Sequence, residues 1–265
     1  MATAVVNYTA AAQTDRGRKR NSNEDAFGYS VEHGVYLVCD GMGGAAAGEV
    51  ASSVAVEEVL RLVTERRTQQ RDADESAVPR LAEDAVVTAN EAIHSRSQRN
   101  ARLSGMGTTL VGLLTGLLES DRRAWIFHVG DSRCYRLRNR GIVQCTQDHS
   151  LVEEQIRLGR MTPAEAARSP LRNVITRALG TQSSVTPDVI EAEVEPGDLF
   201  LLCSDGLTRE LSDEKIESIL NTGLNAPSHS SAGLADLEGL CTRLIQAANK
   251  AGGHDNITCL LVRVD

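Results

Sequence analysis

No run in this chain of 265 residues approaches the ~18 consecutive apolar residues of a membrane span, so no membrane association is expected. The opening MATAVVNYTA lacks an apolar segment of secretory length. Six cysteines are scattered without a C-x-x-C pair or a Cys/His zinc spacing, and free thiols in a reducing cytoplasm are expected. Basic charge is in deficit: 28 Lys+Arg against 36 Asp+Glu leave a net −8, which argues against an extended nucleic-acid surface. No repeat, proline-rich linker or low-complexity tract divides the chain, so residues 1–265 read as one domain, expected to be a monomer. No Gly-Lys-Ser/Thr follows a glycine loop, which removes a P-loop. DGMGGAAAGE imitates a dinucleotide fingerprint, but that fold needs a second strand ending in an acid ~20 residues on. The chain runs instead into polar TERRTQQRDADES.

What is present is apolar periodicity of two kinds. Gly48 to Arg67, Val78 to Gln98 and Leu234 to Lys250 carry apolar residues at helical spacing, and the polar stretch Thr68 to Ala77 joins the first two as an antiparallel pair. Short apolar runs predict strands at Gly34 to Cys39, Thr108 to Leu114, Ala124 to Val129, Cys134 to Leu137, Leu199 to Cys203 and Ile257 to Val264. Several are apolar on both faces, so the sheets are covered twice. Strands in succession with helices grouped predict α+β layers. Asp148 to Gly180 is a mixed excursion with one short helix expected.

Acids gather beside these strands. VYLVCDGMGG puts Asp40 at a strand end, WIFHVGDSR puts Asp131 after another, LFLLCSDGL does the same with Asp205, and GGHDNITCLLV puts Asp255 before a fourth. In antiparallel sheets such positions share a rim. Two carboxylates ~4 Å apart repel by about 4 kcal/mol at an effective dielectric near 20. Divalent cations offset that repulsion, and oxygen-only ligands favour magnesium, manganese or calcium over zinc. Any one Asp beside a Gly is more often a turn residue than a ligand; four together favour the metal. In TDRGRKRNSNED, Arg16, Arg18 and Lys19 read as a solvated basic run, whereas a guanidinium beside such acids suits bidentate phosphate capture. A rival chemistry shares the same stretch: Cys203 and Arg209 are spaced like the nucleophile and phosphate clamp of a Cys-based phosphatase loop. A non-catalytic binding module of the same fold is the other alternative, and the intact acids argue against it.

TDRGRKRNSNEDAF, CDGMGG, GMGTT, VGDSR, CSDGL and GGHDNIT, in that order from about Thr14 to Val264, resemble the metal-dependent protein serine/threonine phosphatases of type 2C, in their bacterial form. The resemblance implies a four-layer α-β-β-α sandwich of two antiparallel sheets flanked by antiparallel helix pairs. It also implies two Mn2+ or Mg2+ ions at one end of the sandwich, and a weaker third. Asp40 would bridge both ions and Gly41 would offer its carbonyl. Asp205 and Asp255 would complete one shell. Glu24 would act near the other ion with Asp25 in support, and Asp131 would share the third ion with Asp205. Arg20 would bind the substrate phosphate, and Asn256 would neighbour the site. The implied reaction is in-line attack on a phosphoserine or phosphothreonine monoester by a hydroxide bridging the metals. The implied partners are phosphorylated proteins, substrates of a serine/threonine kinase. Some relatives carry His after the bridging Asp-Gly; here it is Met42, which leaves a metal-bound water or another group such as His149 to protonate the leaving oxygen. The Asp148 to Gly180 excursion matches the family's variable flap.

Overall fold

The computed structural model describes residues 6–69, 77–116, 122–224 and 233–265. Its strands form two antiparallel sheets. One has the order β1 (Tyr8–Asp15), β11 (Ile257–Val264), β10 (Leu199–Cys203), β7 (Arg133–Arg138), β8 (Gly141–Gln144). The other runs β2 (Asp25–Ser30), β3 (Val35–Met42), β5 (Leu110–Thr115), β6 (Arg123–Val129), β9 (Asp188–Glu193), with the two-residue β4 (Gly107–Thr108) paired to the end of β3. The helices are α1 (Ala45–Gln69), α2 (Ala77–Arg99), α3 (Leu151–Arg157), α4 (Pro163–Ala166), α5 (Asp205–Thr208), α6 (Asp213–Leu224) and α7 (Gly233–Ala251).

Strand parity explains the layers. Along β3, Val35, Leu37 and Cys39 join a core with Val54, Val63, Val86 and Ile93 of α1 and α2. The alternate residues Tyr36 and Val38 meet Phe200, Leu202 and Leu260 between the sheets. β10 divides the same way, with Leu199, Leu201 and Cys203 turned toward Leu220, Leu240 and Leu244 of α6 and α7. Each fully buried Leu or Phe contributes roughly 1.5–3 kcal/mol, and three such cores stack the layers α-β-β-α.

The three long helices lie within a few residues of the ranges read from periodicity, and the joining stretch lies mostly outside the described residues. Thr108 to Leu114 is not one strand: Thr109 interrupts it between β4 and β5. Four strands, β1, β2, β8 and β9, and helix α6 were not expected. All four of these strands are sheet edges and hold many half-exposed or polar residues, so no apolar run announces them. β8 follows a two-residue turn in which Asn139 (φ 51°) and Arg140 (φ 70°) are both left-handed, as a tight hairpin requires.

The excursion contains two short helices, not one. Ser150 caps α3 by accepting from Glu153 N at 3.3 Å, and Thr162 and Glu165 form a capping box on α4. Its two roots are stitched together: Leu151 N donates to Val174 O (2.8 Å) and Thr176 N to His149 O (2.8 Å). Leu179 then exchanges backbone bonds with Thr108 at 2.9 and 3.1 Å. Arg133 grips Asp148 with two nitrogens, which fixes the excursion to β7.

Candidate metal and phosphate site

The acids meet because antiparallel pairing brings strand ends together. Asp25 at the start of β2 lies in register with Asp40 near the end of β3. Asp205 opens α5 directly after β10, and Asp255 precedes β11, the neighbour of β10. Asp131 follows β6. Glu24, Asp40, Gly41, Asp131, Asp205 and Asp255 line one open cavity of about 360 Å³, together with Arg20, Met42 and Arg209.

Local bonds fix these residues. Asp40 N donates to Thr109 Oγ1 (3.1 Å), and Asp40 O accepts from Thr109 N (2.9 Å) and Thr108 Oγ1 (2.9 Å). Asp25 Oδ2 accepts hydroxyls from Thr258 (2.6 Å) and Ser204 (2.7 Å). Asn256 Oδ1 accepts Glu24 N (2.9 Å), while its amide donates to the carbonyls of Arg16 (3.0 Å) and Ser22 (2.9 Å), tying the basic loop to the rim. Close approach demands glycine at two places. A Cβ on Gly48 would strike Glu24 Oε2, and one on Gly41 would strike the Gly48 carbonyl.

The charges strain against one another. Asp40 is pushed well above the ordinary carboxylate range by burial, then by Asp25, Asp205, Asp131 and Asp255. Burial and then Asp131 push Asp205 up to about 8, against the pull of Arg209. Burial raises Asp25 to about 6 despite its two hydroxyl donors. Burial also raises Asp131 and Glu24, with Arg209 and Arg20 respectively opposing. Asp25 Oδ1 and Asp205 Oδ1 are buried with no protein partner. An all-oxygen donor set with crowded carboxylates and orphaned oxygens fits hard divalent cations. Two arginines pair with these acids: Arg20 with Asp255 at 2.8 Å, and Arg209 with Asp255 at 3.2 Å and with Asp205.

Among the described residues, His128, His149 and Asp188 form a tighter group, their donor atoms within 4.8 Å of one another. It makes a poor metal site. The two rings stack at 4.5 Å with planes 22° apart, so their in-plane lone pairs run side by side and do not converge on one ion. Gly130 N also donates to His149 Nδ1 at 3.1 Å. His149 is thereby tied to the excursion root, and it lines a different cavity from the one that holds Asp40 and Met42.

The rival nucleophile fails on position. Cys203 is fully buried on the helix side of β10, and burial pushes its thiol up to about 12. Arg209 does not face it but the acids. That placement, together with the hydroxyls of Thr108, Thr109, Ser204 and Thr258 that hold the rim, was missed from sequence. The GMGTT and CSDGL motifs were its visible trace.

The protein phosphatase 2C family model matches residues 12–242. The chain belongs to the protein phosphatase 2C family. The serine/threonine phosphatase stp of Listeria monocytogenes is 36% identical over 259 residues, covering 97% of this phosphatase 2C chain and 96% of the relative. PstP of Mycobacterium tuberculosis is 40% identical over 266 residues; the match covers 99% of this chain but 46% of PstP, about half its length. The crystal structure of the PstP catalytic domain in complex with two manganese ions superposes with a TM-score of 0.81 at 34% identity, covering 98% and 99% of the two chains. The four-layer arrangement is thus that of metal-dependent phosphatases.

Proposed function

We propose that this chain hydrolyses phosphoserine and phosphothreonine monoesters on proteins, with divalent cations held at the rim between the sheets. The observation that carries this reading is the convergence of Asp40, Asp131, Asp205 and Asp255 on one cavity with Arg20 at its edge. In this reading Asp40 and the Gly41 carbonyl would help hold two Mn2+ or Mg2+ ions at the cavity. Asp205 and Asp255 would hold one ion. Glu24, supported by Asp25, would hold the other, and Asp131 with Asp205 would hold a weaker third. When bound, such ions polarise water and neutralise charge on phosphoryl oxygens.

The chain's own residues do the rest. Arg20, half exposed and already paired with a carboxylate, offers a planar fork to the phosphate oxygens. Asn256 holds Glu24 and the Arg16–Ser22 loop in place, so Arg20 and the acids keep their spacing. The excursion, rooted beside Asp131, borders a second cavity of about 750 Å³ that shares Asp131, Asp205 and Asp255 with the first, leaving room for substrate flanking the phosphoresidue. We read residues 1–265 as one catalytic domain working as a monomer opposite a serine/threonine kinase. Six free cysteines support a reducing, cytoplasmic setting. No helix among the described residues is long and apolar enough to cross a membrane.

The test is hydrolysis of a phosphothreonine peptide with manganese, with magnesium and after chelation. Activity is expected only with added cation, lost on chelation and restored on re-addition. Full turnover in the chelated protein would refute the reading.

Arg20→Ala is expected to raise KM about tenfold and weaken inhibition by phosphate, with a smaller loss in kcat, because the guanidinium grips phosphate before and during reaction. Unchanged KM and phosphate inhibition would return Arg20 to the solvated basic run.

A further inference from the structure

Arg209 has no part in the mechanism above, and its setting is unusual. It follows α5 directly, its side chain is 36% exposed, and its only side-chain partners among the described residues are Asp205 and Asp255. Arg20 reaches the same Asp255 Oδ2 at 2.8 Å, against 3.2 Å for Arg209 Nη1. Two guanidinium groups thus stand within bonding reach of one oxygen. Arg209 also borders both the cavity of about 360 Å³ at the acid rim and the neighbouring one of about 750 Å³.

We propose that Arg209 is a second phosphate-gripping arginine, acting on the substrate phosphoryl group together with Arg20. The proposal rests on the reading of the chain as a cation-dependent phosphatase. Cations held by Asp205 and Asp255 compete with both arginines for the carboxylate oxygens. A guanidinium carries five N–H donors in a rigid fork, so a carboxylate oxygen taken up by a cation leaves donors free for another anion beside the rim. A phosphoryl dianion arriving there supplies oxygens with matching geometry and charge. A buried structural arginine would instead be tied to backbone carbonyls, as Arg67 is to His33 and Thr115.

The test uses Arg209→Gln and Arg209→Lys in the manganese-loaded protein. Calorimetry measures affinity for inorganic phosphate and, separately, for manganese; kinetics with a phosphothreonine peptide give KM and kcat. For Arg209→Gln, phosphate affinity is expected to fall about tenfold and KM to rise by a similar factor, with a smaller change in kcat and no loss of manganese affinity. Arg209→Lys keeps the charge without the fork and should lose about threefold in both. Phosphate affinity and KM within twofold of the parent in Arg209→Gln, with tighter manganese binding, would show a mere counter-ion to the acids and overturn the proposal. If Arg209→Gln does not fold, parent-level phosphate affinity in Arg209→Lys overturns it equally. A parent protein that neither binds manganese nor hydrolyses the peptide would sink the phosphatase reading itself, a result distinct from an active parent with an indifferent Arg209.

Discussion

Asp40→Asn is expected to abolish turnover, by about 10³-fold or more, while making the metal-free protein more stable. The loss follows from its place in the middle of the acid rim, where an amide lacks the anionic oxygens a bridging role needs. The gain follows from linkage. Asp40, Asp25 and Asp205 all titrate above the ordinary carboxylate range in the folded chain, so the folded state binds more protons than the unfolded one near neutrality. Stability of the metal-free protein is therefore fully present below the ordinary carboxylate pKa of about 4 and falls as pH rises through about 6 and about 8. Removing one anion makes that decline shallower. Denaturant unfolding in chelator from pH 4 to pH 8 measures it. A steeper decline in Asp40→Asn, or near-normal turnover at saturating manganese, would exclude Asp40 as the central ligand.

The second large effect separates two neighbours. Asp205→Asn should be inactive and bind cations weakly, because Asp205 opens α5 with one oxygen unpartnered toward the rim. Cys203→Ser should keep activity within about threefold and lose about 1–3 kcal/mol of stability, since a hydroxyl replaces a thiol in a dry core. Parallel assays of manganese affinity, turnover and unfolding decide between them. An inactive but folded, manganese-binding Cys203→Ser beside an active Asp205→Asn would reverse the assignment.

The interior of this molecule is more legible in its sequence than the periphery. β3, β10 and β11 are apolar on both faces because helices cover one side and a sheet the other, and such runs stand out at once. β9, DVIEAE, is a half-exposed edge whose stability comes from pairing with β6, a partner 60 to 70 residues earlier that no local pattern reveals. The acids were legible as punctuation at strand ends. Their mutual register was not, because the Asp25–Asp40 pairing depends on β2, which shows no apolar run. Arg209 was visible only as a spacing from Cys203. Which way it faced was settled by the strand ending at Cys203 and the helix beginning at Asp205, a change of direction within two residues.

The placement of β11 bears on how the molecule comes into being. This last strand lies inside its sheet, between the first strand and β10, and it carries Thr258, which holds Asp25 across 233 residues of chain. During synthesis β1 and β10 emerge as open, unpaired edges and wait for residues through Val264 before the gap between them closes. Asp255 reaches the rim only with that closure. Contacts of such long sequence separation make folding slow and late. An incomplete chain on the ribosome therefore has neither a finished sheet nor a working site, and the phosphatase cannot act before its own synthesis has delivered this inner strand.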